Sequence, residues 1–232
     1  MVPERHLTPA GAHDRADALA FLTRAIRLDE APVVRLSRRP DGLVGLWAHT
    51  GFDVLVTRSI FATIAPADIV CDAATLRAVL ARGRDDEPAD PGMSLDSAWR
   101  GALPARTGYR QLDDVPAGTV VGVTRDGARL AREGGSAFGP ATGLLDQGVL
   151  DVTSAEGQLH ATVSLRSLFA LTAMGFVRDR DGREITETSP IAAIAADEPV
   201  RIRMSAAWIR IDARFGSVYQ RRHRDMSVTV LG

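Results

Sequence analysis

The chain has 232 residues, 45% of them apolar and 25% charged, with a formal net charge of −1; that composition excludes wholesale disorder and supplies no global field to attract DNA or an anionic membrane. All 28 Lys+Arg positives are arginine, because the sequence contains neither lysine nor asparagine, and without a lysine a Walker A loop, a pyridoxal Schiff base and a protein kinase of the usual kind are excluded. Cys71 is the single cysteine, so there is no internal disulfide and no CxxC pair, and no apolar run reaches the length of a membrane span. The composition thus predicts a soluble, cytoplasmic chain without a metal or other cofactor.

Along the chain, Thr8-Pro9 gives a cap and first-turn pair, and Leu19, Leu22 and Ile26 follow at helical spacing, which predicts a helix over about 9–28. Val33 to Arg38 and Leu43 to His49 flank Pro40-Asp41-Gly42 and predict a hairpin. A strand over about 52–57 should run into a short helix capped by Ser59 and carrying Ile60, Phe61 and Ile64. Asp72 caps a helix to about Arg82, and the acidic, proline-containing stretch 83–92 reads as a solvated loop.

In the second half, Pro116 opens a helix over about 116–133, followed by the glycine-rich run from Gly134 to Gly143. Strands are expected at Val149 to Thr153 and Gln158 to Leu165, then a helix carrying Leu168, Phe169 and Thr172. Residues 179–189 are turn-rich, Ser189-Pro190 can start a helix, and Val200 to Met204 and Trp208 to Ala213 alternate as strands.

Comparison of the chain with itself gives an internal duplication. Arg58-Ser59-Ile60-Phe61-Ala62 matches Arg166-Ser167-Leu168-Phe169-Ala170 at an offset of 108. Ala98-Trp99, Ala105-Arg106, Gly108 and Tyr109 match Ala207-Trp208, Ala213-Arg214, Gly216 and Tyr219. The fold class that follows is α+β: two tandem pseudo-symmetric units, residues 1–113 and 114–232, each a helix plus a small, largely antiparallel sheet.

Arg58 and Arg166 head the candidate site residues, because the repeat sets both at a strand-to-helix junction where an arginine fork can grip a carboxylate or phosphate. The competing reading pairs each with a local acid. Trp99, Trp208, Tyr109 and Tyr219 are ligand-stacking platforms or equivalent core anchors. Arg201, Arg203, Arg210, Arg214, Arg221, Arg222 and Arg224 make the C-terminal segment basic, a phosphate-backbone footprint if they lie free on a strand face.

The run Gly134 to Gly139 lacks the spacing of a dinucleotide loop and follows a helix, so it reads as a helix cap and loop. The five histidines are scattered, without metal-ligand spacing. Cys71, before the Asp72 cap, has no partner base and reads as a small buried residue.

Taken together, the R-S-[I/L]-F-A and A-W…A-R-x-G…Y blocks resemble uncharacterised actinobacterial proteins, a resemblance that covers most of the chain and implies no activity, substrate or catalytic residue. Three functional readings follow. The first is a non-enzymatic binding or interaction protein with a groove or interface between the repeats, engaging a protein partner or a second copy of itself. The second is an enzyme or small-anion binder built on Arg58 and Arg166. The third is nucleic-acid binding by the C-terminal arginines.

Overall fold

The computed structural model describes residues 4–133 and 142–222; the glycine-rich run from Gly134 to Gly139, His223 and Arg224 lie outside the described residues. Eleven strands and five α-helices follow in chain order: β1 (His6–Pro9), α1 (Ala12–Leu28), β2 (Val33–Arg38), β3 (Leu43–His49), β4 (Leu55–Ala65), β5 (Asp68–Asp72), α2 (Ala73–Arg82), β6 (Arg110–Pro116), α3 (Ala117–Glu133), α4 (Thr142–Leu145), β7 (Gly148–Thr153), β8 (His160–Ser164), α5 (Leu165–Ala173), β9 (Pro199–Met204), β10 (Trp208–Ala213) and β11 (Gly216–Arg221). Helices and antiparallel sheet are mixed, so the fold is α+β. Among the described residues no helix is long and apolar enough to cross a membrane.

Nine strands form one sheet in the order β5-β2-β3-β4-β11-β10-β9-β6, with β1 paired to β4 off this path; β7 and β8 form a separate pair. The two halves of the chain therefore meet at β4 and β11. Their seam is short and antiparallel: Ser217 faces Thr57, Val218 faces Val56 and Tyr219 faces Leu55.

Alternation along the strands sorts the apolar side chains onto two faces. Leu46, Val56, Ile209 and Val218 point to the main core with the helices, where α1 contributes Phe21 and Leu22 and α5 contributes Leu168 and Leu171. Their neighbours Trp47, Leu55, Trp208 and Tyr219 belong to a second cluster. Burying one face under helices while the other carries aromatics requires this period of two.

Several local expectations hold. The β2–β3 hairpin turns at Gly42, whose φ of +82° suits glycine, and the Asp72 side chain caps α2 by accepting from the Thr75 N–H at 2.6 Å. Others do not. Thr8 and Pro9 are strand, because β1 pairs with residues 62–65 of β4, and α1 starts at Ala12. The helix expected at Ser59 is instead the continuation of β4, an eleven-residue strand. Ile60 and Ile64 lie four apart, an even spacing that places them on one face of a strand as readily as on one turn of a helix. Partners decided between the two: β3 binds β4 through Phe61 and β1 binds it beyond.

The duplication register at an offset of 108 falls with that helix. Arg58 sits in β4 and Arg166 in α5, while Trp99 follows a short 3-10 turn in a connecting segment and Trp208 opens β10. In the sheet order, β4, β3 and β2 step outward on one side of the seam and β11, β10 and β9 on the other.

The C-terminal half approaches its own core closely at Gly216, where a Cβ would stand 2.4 Å from the ring of Phe176, itself 1% exposed. Gly216→Ala is expected to lower stability by about 1–3 kcal/mol through overpacking; an unchanged denaturant midpoint would show that the ring can yield.

Candidate functional site

The two arginines singled out by sequence are brought to the seam, but not into one cleft. Arg58 lies on the helix side of β4, side chain 9% exposed, and ion-pairs with Asp17 of α1. Its Nη1 also donates across the seam to the Phe215 carbonyl at 3.1 Å. Arg166 reaches the opposite way, donating from Nη1 to the Phe52 carbonyl at 2.9 Å and pairing with Asp146. Each guanidinium thus ties one half of the chain to a backbone oxygen of the other. They share no partner, so the geometry does not make them a joint anion clamp.

Behind Arg58 lies a dense set of charges. Arg24, paired with Glu184, is lowered to about 10 by burial first and by Arg178 next. Asp17 therefore offsets more than one neighbouring positive charge, and a buried pair broken on one side leaves the other uncompensated. Asp17→Ala is expected to cost about 3–5 kcal/mol of stability in chemical denaturation, and a loss below about 1 kcal/mol would mean that solvent already screens the pair.

The opposite face of the sheet collects every tryptophan and tyrosine in the chain: Trp47, Trp99, Trp208, Tyr109 and Tyr219. Tyr219 is the hub. Its ring lies 5.3 Å from Trp47, 6.2 Å from Tyr109 and 6.3 Å from Trp208, the last two edge-to-face. Arg210 stands over Tyr219 and Tyr109 at 5.6 and 5.7 Å, and Arg221 over Trp208 at 4.6 Å. Trp99 is brought to the same face by residues 83–109 and stacks on His49 at 5.0 Å. Sequence nominated four of these five aromatics. Trp47 was missed for lack of a repeat partner, although its place in an alternating strand points it away from Leu46.

Next to this face a cleft of about 490 Å³ opens along the seam. His49, Asp53, Val54 and Leu55 line it from the first half, and Arg166, Trp208, Tyr219, Gln220 and Arg221 are among its lining residues from the second. Its floor is the half-buried Trp208 and the buried Tyr219, and its rim is mixed in charge. Ser164 and Ser167 bond to each other at 3.1 Å and to Gln220 Oε1 at 3.0 and 2.8 Å. Desolvation holds the His49 imidazole below its ordinary value. Among the described residues His49 bonds to neither serine, so no nucleophile is seated on a base. Among them, too, no three His, Cys, Asp or Glu side chains converge as a metal site requires.

The remaining C-terminal arginines have partners of their own. Arg203 and Arg210 share Asp212 at 2.9 and 2.7 Å, Arg201 and Arg214 approach Asp114 and Glu198 at 3.8 Å, and Arg222 donates to the Ser205 carbonyl at 3.0 Å. Among the described residues, each arginine of β9 and β10 thus has a carboxylate within 4 Å.

Cys71 is fully buried beneath α2, and burial pushes its thiol up to about 12, as it does the Tyr219 hydroxyl. Both folded values lie above the unfolded ones of 9.0 and 10.0. Their contribution to stability is therefore whole below pH 9 and is lost as pH rises through about 12. A native chain is expected to leave Cys71 unreacted with a thiol reagent at pH 8 until denaturant is added; prompt labelling of the folded protein would contradict that burial.

Residues 104–225 match the family described as a domain of unknown function, DUF8185, and the chain belongs to that family. Residues 2–101 match a second domain of unknown function, DUF8010. No curated protein matches the sequence. Among solved structures, the chain is similar to the DNA polymerase sliding clamp of Caulobacter crescentus, at 15% identity and a TM-score of 0.55 over 94% of this chain and 65% of that one. It is similar to the sliding clamp of Bacillus subtilis at 10% identity and a TM-score of 0.55, over 96% and 66%. The Bartonella birtlesii sliding clamp bound to griselimycin gives 14% and 0.54, over 95% and 66%. At these identities the likeness shows a sliding-clamp fold, and the chain spans just under two thirds of the clamps' length.

Proposed function

We propose that this DUF8185 chain is a non-enzymatic interaction protein that docks a partner in the cleft along its central seam, on a scaffold of two clamp-type α+β units joined near residues 113–116. One observation carries the reading. The cleft joins the aromatic side chains of Trp208 and Tyr219 to arginine and carboxylate side chains drawn from both halves, which is the anatomy of a binding patch, and among the described residues no catalytic constellation accompanies it. The clamp fold of its structural neighbours supports the same reading. A lone thiol held buried and neutral fits a reducing cytoplasmic setting.

The partner's chemistry follows from the floor and rim. A segment with one large apolar or aromatic anchor would cover Trp208 and Leu55, and its flanking charges would meet Arg166, Arg221 and Asp53. Selection of a displayed peptide library against the chain is expected to return such segments, with binding that changes tryptophan fluorescence. Trp208→Ala and Arg221→Glu should each weaken a selected peptide at least about tenfold, equivalent to about 1.4 kcal/mol, while leaving cooperative unfolding intact. Peptides that bind both variants undiminished, or a library that yields none, would overturn the proposal.

A further inference from the structure

A second cavity, of about 580 Å³, lies on the helix side between α3 and α5, away from the seam cleft. Phe52, Phe169, Val121, Ala128 and Ile185 are among the residues that line it. The Phe52 and Phe169 rings stand 5.9 Å apart, so the β3–β4 turn of the first half forms part of the wall. Phe52, Ala128, Phe169 and Ile185 all keep surface open to solvent. The size and the apolar lining are those of small-molecule sites.

Charge at its rim is unevenly satisfied. Arg129 pairs with Asp126 at 3.0 Å and Arg132 with Glu187 at 2.8 Å. Arg125 has no carboxylate partner among the described residues: its Nη2 donates to the carbonyls of Thr186 and Ser189 at 2.7 and 2.6 Å, and no acceptor among those residues meets its Nε or Nη1. The two carbonyls hold the guanidinium at the mouth of an apolar chamber without neutralising it. An anionic head group would complete it.

We infer that this cavity binds a small amphiphilic monoanion, with its aromatic or alkyl body against Phe52, Phe169 and Ile185 and its carboxylate on Arg125. The fluorescent anion 8-anilinonaphthalene-1-sulfonate, added to the folded chain, should brighten with a stoichiometry near one per chain. 4-Phenylbutyrate should displace it, and the neutral 4-phenyl-1-butanol should do so at least about tenfold less well, which is about 1.4 kcal/mol. Arg125→Gln should bring acid and alcohol to parity, and Ala128→Trp, which fills the chamber, should abolish the fluorescence, with each variant's thermal unfolding checked by circular dichroism. Equal displacement by acid and alcohol in the unaltered chain would overturn the site without reference to any variant, as would dye binding that survives Ala128→Trp.

Discussion

The pairing of β4 with β11 is the constraint on which the rest of the molecule depends. Only three residues of each strand are in register there, a ladder too short to hold two half-sheets by hydrogen bonds that contribute about 1 kcal/mol each. The seam is reinforced on both sides of the sheet. Arg58 on the helix side and Arg166 at the seam cleft reach in opposite directions to carbonyls of the facing half; over the seam, Trp47 and Tyr219 pack from neighbouring half-sheets. The main core is continuous beneath, with Val56 and Val218 facing each other across the junction. Hydrophobic burial supplies the bulk of the adhesion, and the arginines fix register, since each donates to one particular oxygen.

Topology then explains the aromatic face. β5 and β6 occupy opposite edges of the sheet, so the chain that follows β5 and α2 must cross the sheet to begin β6. Seven strand spacings amount to roughly 34 Å, and residues 83–109 can reach about 90 Å when extended, so the crossing has slack. It is pinned by contacts spread along its length: the Leu95 N–H bonds the Val70 carbonyl, Trp99 lies on His49, and Arg106 donates to the Arg38 carbonyl. Trp99, Leu103 and Tyr109 then pack on the sheet's outer aromatics. A segment without strand or long helix is ordered here by its large side chains, whereas composition reads only residues 83–92 of it as a solvated loop.

That difference marks how far the sequence could be read. Elements whose pattern is local were legible: the β2–β3 hairpin through its turn, α2 through its Asp72 cap, α3 after Pro116. The register of the repeat was not, because Arg-Ser-hydrophobe-Phe-Ala carries no information on whether a strand ladder or a helix will claim it. β3 and β1 claimed the first copy and the helix layer the second. The sequence singled out Arg58, Arg166 and four of the five Trp and Tyr residues, and it left two readings of the arginines open, a shared anion or a local acid for each; in the fold Arg58 pairs with Asp17 and Arg166 with Asp146. Trp47, His49, Ser164 and Gln220 carried no repeat signal and became visible only when the fold brought residues 50 or more positions apart together.

The two faces of the seam are bridged by one short element. Arg166 and Phe169 are three residues apart on α5, and both engage Phe52, the first through its carbonyl and the second through its ring. Residues at that spacing share a helix side, so the β3–β4 turn is gripped at two points by a single helical surface. On one side of that grip lies the seam cleft, which Arg166 lines; on the other lies the chamber that Phe169 lines. Two residues of one helix and one turn of the facing half thus stand between the chamber on the helix side and the cleft on the aromatic side.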